Sequence, residues 1–142
     1  MTYTISTTVE APFEEVLDAA NRELSEEGFG VLADIDVQET FASKLDEEIE
    51  RYRILGACNP PLAHEGISIE SDLGALLPCN VIVYESETGE VVLSAVDPEE
   101  LIGVTGNEDL RHIASEIEER LSRAVNSVAA EFGTGAGDQE LD

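Results

Sequence analysis

Apolar and polar positions change period several times along this chain, and each change marks an element. Residues 2–9 alternate: Tyr3, Ile5, Thr7 and Val9 share one face, with Thr and Ser opposite. A period of two predicts a half-buried strand. From residue 11 the repeat lengthens, and Phe13, Val16, Leu17, Ala20 and Leu24 form a stripe at helical spacing. Pro12 suits the first helical position, Glu14 and Glu15 complement the helix dipole, and Gly28 suits the left-handed stop. Alternation returns over residues 29–37, where Phe29, Val31, Ala33, Ile35 and Val37 are set against Gly30, Leu32, Asp34 and Asp36. Residues 38–50 read as a short helix with Phe41 and Leu45 turned inward, and residues 51–58 as a third strand.

A proline pair at 60–61 opens a short helix and loop. Residues 78–86 and 90–97 are two strands joined by SETG, where Gly89 permits a tight hairpin turn. The second face of that hairpin is also apolar, with Ile82, Val92 and Val96. An acidic turn over 97–106 precedes the longest helix. Asn107 is its expected cap and Gly133 its stop. Its stripe runs through Leu110, Ile113, Ala114, Ile117, Leu121, Ala124, Val125, Val128 and Phe132. The stripe is core, and its outer edge is a candidate subunit contact. This order predicts an α+β domain: an antiparallel sheet of about five strands with a β-α-β-β-β-β-α core, two main helices on one face, and short helices besides. Residues 1–132 read as one domain and 133–142, rich in glycine and acid, as a flexible tail.

Charge changes the picture. The 142 residues carry a formal net charge of -25, from 32 acidic and 7 basic side chains, and only Lys44 is a lysine. Apolar periodicity with 42% hydrophobic residues argues against disorder despite that charge. A carboxylate-rich, lysine-poor surface stays hydrated in concentrated salt. At ~1 M the Debye length is only ~3 Å, so self-repulsion is largely screened. The expectation is a halophilic, archaeal-like protein of the cytoplasm. Nucleic acid is excluded as a partner, because no basic cluster exceeds RYR at 51–53. No segment approaches the ~20 apolar residues of a membrane span. The first residues lack the basic and apolar runs of a signal peptide, and two cysteines do not suggest a disulfide scaffold.

Candidate chemistry gathers in GACNPPLAHE, residues 56–65, and in Cys79. Cys58 ends a strand, on the face of Tyr52, Ile54 and Gly56. Asn59 is a natural helix cap. Unpaired N–H groups at the following helix start would favour a thiolate at Cys58. His64 falls about one turn into that helix. Three readings follow. Cys58, His64 and Cys79 could hold zinc, copper or iron, with an open position or a second subunit completing the set. The thiols could form a reversible disulfide, or one could be activated by His64 as base. Or both cysteines are small buried hydrophobes, the commonest fate of cysteine. Asp34 and Asp36, with Glu39 nearby, could hold a hard cation, but in so acidic a chain they read first as a solvated face. His112 faces away from the apolar stripe. Phosphate-loop, G-x-S-x-G and H-E-x-x-H patterns are absent.

Four phrases taken in order, GFGVLADIDVQETFASKL, YRILGACNPPLAHEGI, LLPCNVIVYE and VVLSAVDP, resemble the domain of unknown function 302 family over residues 3–130. The resemblance implies a curved sheet carrying helices, similar to the TATA-box-binding-protein fold class, and association as a homodimer. Gly28, Phe29, Asp36, Asn59, Pro60 and Pro78 fall where the family's motifs do. Cysteines matching Cys58 and Cys79 occur in some members only, so they mark a subtype. No function comes with the resemblance, and fold analogy supplies none. The functional expectation is a small-ligand or metal-binding module with its site at Cys58, Asn59, His64 and Cys79. The alternatives are a thiol-dependent redox enzyme and a structural or interaction domain.

The surface reading carries its own test. Dialysis from molar KCl into dilute buffer is expected to lower the melting temperature, because carboxylate repulsion is then unscreened; a level or rising value would contradict it.

Overall fold

The computed structural model describes residues 2–133, so all but the first residue of the expected tail at 133–142 lies outside the described residues. Strands β1 (Thr4–Val9), β2 (Gly30–Asp36), β3 (Tyr52–Cys58), β4 (Cys79–Glu85) and β5 (Val91–Val96) form one sheet of order β1-β5-β4-β3-β2. Every neighbouring pair is antiparallel. Helices α1 (Phe13–Glu26), α2 (Val37–Leu45), α3 (Pro60–Ile69), α4 (Pro98–Gly103) and α5 (Arg111–Glu131) complete the α+β fold expected from the sequence.

The pleat sends alternate side chains to opposite faces. On one face Ile5, Ala95, Val81 and Leu55 stand side by side, followed by Thr7, Leu93 and Val83, then Val9 and Val91. All are buried, against the stripes of α1 and α5. The stripes predicted for these helices are the buried ones: Phe13, Val16, Leu17, Ala20 and Leu24 on α1, and Ile113, Ile117, Leu121, Val125 and Val128 on α5. The other face runs Thr8, Val92, Tyr84 and Tyr52 in one row, and Ser6, Ser94, Ile82, Ile54 and Ile35 in the next. The Tyr52 and Tyr84 rings stack there at 5.3 Å.

Several local expectations change. Pro12 is the cap and lies just outside α1; its extended backbone presents its carbonyl to the N–H groups of Glu15 and Val16. A bulge between Val31 and Ala33 reverses the parity of β2. Val31 therefore pairs with Ala57 on the helix face, whereas Ile35 pairs with Ile54 on the open face. Val37 leaves the strand and starts α2. Phe41 and Leu45 do not point inward. The helix lies against β3 without being covered from outside, so α2 buries none of its residues and Leu45 is 63% exposed. The acidic turn contains α4, opened by Pro98 and capped by Asp97. Asn107 caps the short 3-10 turn Glu108–Leu110, which runs straight into α5.

Helix α3 packs on the domain through Leu62, half-buried against the core, and most tightly through Gly66. Gly66 is its only buried residue. A Cβ there would lie 2.6 Å from Leu73 Cδ2 and 3.7 Å from Ile113 Cδ1. Gly66→Ala is expected to destabilise by about 1–3 kcal/mol through overpacking. Gly74→Ala, whose Cβ would meet nothing within 4 Å, is the control and should melt close to the parent temperature.

Candidate functional site

The junction between β3 and α3 is built by Asn59. Its backbone is extended, and its Oδ1 accepts from the Leu62 N–H at 3.3 Å, while its carbonyl accepts from the Ala63 N–H at 2.8 Å. Pro60 and Pro61 fill the first helical positions. This overturns the expected thiolate support: prolines carry no N–H, and the Leu62 N–H is already taken. The start of α3 therefore has no free amide in its first turn to offer Cys58.

The two thiols are neighbours without facing each other. Cys79 pairs with Ala57, so it points to the helix face. Cys58 is one residue further along β3 and points the other way. A disulfide needs Cβ atoms about 3.8 Å apart and turned toward each other, and both cysteines are free thiols. Cys79 is only 2% exposed. Burial first, and then the nearby Cys58, push its thiol from the ordinary 9.0 up to about 11. His64 lies on the exposed side of α3. Among the described residues no group of three or more His, Cys, Asp or Glu is placed to hold a metal ion, so Cys58, His64 and Cys79 do not assemble into the three-ligand set considered from the sequence. Asp34 and Asp36 are also occupied. Arg53 donates from Nε and Nη2 to both oxygens of Asp34 at 2.8 and 2.6 Å, and Asp36 caps α2 through the Glu39 N–H at 2.9 Å. His112 is exposed, as expected, and its Nε2 meets Glu65 Oε2 at 2.7 Å, linking α5 to α3.

What the structure does bring together is a crevice under α3. Cys58, Asn59 and Cys79 border it with Phe29, Leu62, Ala63, Leu73, Pro78, Ile113 and Ile117. His64 is not among its walls. The enclosed space is about 20 Å³, room for one water-sized guest. Its one buried polar side chain is Asn59, 7% exposed. The amide carbonyl is spent on the Leu62 cap, and no described residue accepts a hydrogen bond from Nδ2. A Cβ on Gly28 would lie 3.1 Å from that nitrogen and 3.3 Å from Arg120 Nη1. Gly28 has φ +88°, which favours glycine by itself, and a Cβ there would require Asn59 or Arg120 to give by a few tenths of an ångström. Arg120 in turn closes the end of α1 by donating from Nη1 to the Glu27 carbonyl at 2.9 Å, and its Nε holds Glu116 at 2.8 Å. The sequence reading missed Phe29, Leu62, Ile113 and Ile117 as walls, because each is an ordinary core residue by pattern. It missed Arg120 too, although the Glu116/Arg120 spacing of four was visible. A wider hollow of about 380 Å³ lies between α4 and the start of α5, lined by Glu99, Glu100, Glu108 and Arg111. It is open, holds no nucleophile, and Arg111 is tied to Glu108.

The chain matches the family described as Domain of unknown function DUF302 over residues 5–128 and belongs to that family. A solved structure described as uncharacterized conserved protein DUF302 from Bacillus stearothermophilus is similar, with a TM-score of 0.83 at 28% sequence identity. The match covers 89% of this chain and 98% of that one. No curated protein matches. Among the described residues, no helix is long and apolar enough to cross a membrane.

The two thiols should be separable by chemistry. Iodoacetamide is expected to label Cys58 in the folded protein and Cys79 only after unfolding. The raised Cys79 pKa also has a sign. The folded state keeps the proton longer, so the stabilisation is intact below pH ~9 and is lost between ~9 and ~11. The loss is about 2–3 kcal/mol for a shift of this size. Chemical denaturation across that range should show the decline, and Cys79→Ala should flatten it.

Proposed function

We propose that the chain is a small-ligand-binding module whose site is the crevice beneath α3. The observation that carries this reading is the Asn59 amide, nine-tenths buried, with a donor that no described residue accepts from. A buried donor without a partner costs about 1–3 kcal/mol, and a guest with an acceptor atom recovers it. The apolar walls select a compact, mostly hydrocarbon ligand, and Asn59 selects one bearing a single acceptor such as a carbonyl oxygen. Further support comes from where the family resemblance falls: Phe29, Asn59 and Pro78 line the crevice, Gly28 touches Asn59, and Pro60 starts the helix above it. Neither His64 nor a thiol is asked to react; Cys58 and Cys79 are wall atoms.

The enclosed space is smaller than any carbon-based ligand, so entry requires α3 to move outward. That movement would part half-buried Leu62 from the core and break the Asn107–Glu70 hydrogen bond at the end of α3. The helix buries only Gly66, and its polar tie to α5 is the exposed Glu65–His112 contact. The acidic surface we assign to life in a high-salt cytoplasm, as its charge and its lack of lysine suggest.

The test uses butanone, a neutral ketone, as probe. In a nitrogen-15 NMR titration, the Asn59 side-chain NH2 signals and the Leu62 and Ala63 amides are expected to shift together and saturate. Asn59→Asp, which keeps the oxygen that caps α3 but has no donor when ionised, should abolish saturation while remaining folded. Shifts that are unsaturable, or unchanged in the variant, would refute the site.

A further inference from the structure

Two nitrogens from different elements look onto one small space. A Cβ on Gly28 would lie within 3.3 Å of both Asn59 Nδ2 and Arg120 Nη1, so a single small group at that point reaches both. Gly28 is exposed, whereas Asn59 is 7% exposed and borders the crevice. The space thus opens to solvent on one side and is backed on the other by the amide at the crevice mouth.

Both donors have hydrogens to spare. No described residue accepts from Asn59 Nδ2. Arg120 gives Nε to Glu116 and one Nη1 hydrogen to the Glu27 carbonyl, and its remaining hydrogens, on Nη1 and Nη2, go to no described residue. Arg53 shows the contrast: it grips Asp34 at two points, through Nε and Nη2. A guanidinium is shaped for that two-point hold on a carboxylate, and Arg120 makes only a one-point contact with Glu116. The Glu27 side chain, which would oppose an anion from the same corner, is held by Arg123 at 3.0 Å.

We infer that the guest of the crevice is a small carboxylic acid bound as its anion. One carboxylate oxygen accepts from Asn59 Nδ2, the other accepts from Arg120, and a short hydrocarbon tail lies beneath α3. This rests on the reading of the crevice as a ligand site and narrows its guests from carbonyl compounds at large to acids. A ketone offers one oxygen to Asn59 and turns a methyl group toward the guanidinium. A carboxylate puts a second, charged oxygen there, and hydrogen bonds between ionised partners are roughly twice as strong as neutral ones. Glycine at 28 leaves empty the space that the carboxylate takes.

Potassium propanoate is the probe. Butanone is its match, with a methyl group in place of the charged oxygen. In nitrogen-15 NMR titrations near neutral pH and at fixed ionic strength, propanoate is expected to saturate the Asn59 and Leu62 shifts about tenfold more tightly than butanone. It should also move the Arg120 Nε signal, which butanone leaves in place. Arg120→Gln should lower the propanoate affinity about tenfold, to the level of butanone. Glu116→Gln removes the competing acid and should strengthen propanoate binding relative to butanone. If butanone saturates and propanoate binds no more tightly, the inference falls and the ligand-binding reading stands. A folded Arg120→Gln that keeps the parent's affinity for propanoate has the same meaning. If neither probe saturates, both fall together. If Arg120→Gln does not fold, Glu116→Gln decides, and propanoate binding that is unchanged or weaker there overturns the inference.

Discussion

Ala57 stands opposite Cys79 and Leu55 opposite Val81, at the middle of the sheet. Strand side chains have a period of two, so shifting this register by one residue would exchange the two faces of β3 relative to β4. Buried Leu55 and Val81 would then no longer meet the same helices. The same register turns Cys58 and Cys79 to opposite faces, places Asn59 at the mouth of the crevice and aligns Tyr52 with Tyr84. Both the crevice and the charge-free face are consequences of how this one pair of strands is aligned.

Much of the fold was legible in the chain because long periodic stretches report burial directly. The stripes of α1 and α5 and the alternation of β1 were visible as patterns and are the buried sets. The failures cluster at the β2 edge. One extra residue at the bulge moved Ile35 across the sheet, and a bulge leaves no mark in an alternation that is apolar on both phases. Phe41 and Leu45 looked like an inward pair because spacing shows which residues share a helix face, without showing whether another layer lies beneath that face.

The site was legible only in part. Cysteine, asparagine and histidine drew attention to residues 56–65, and three of the four chosen residues do border one crevice. His64 does not, since one turn of helix carried its ring to solvent. Chemistry suggested by residue type depended on directions that sequence spacing does not encode. The proline pair is the clearest case. It marks where the helix starts, and the same two residues remove the amides that would have made that start attractive to an anion.

Gly56 carries a different implication. A Cβ on it would lie 2.9 Å from the Pro78 ring and 3.4 Å from Ala33 Cβ. The glycine on β3 and the proline at the start of β4 thus occupy a single volume between them. Either residue limits what the other can be: with proline at 78, a Cβ at 56 would force one of the two strands to shift. The two positions are thus coupled in this fold: the side chain at one sets the volume open to the other.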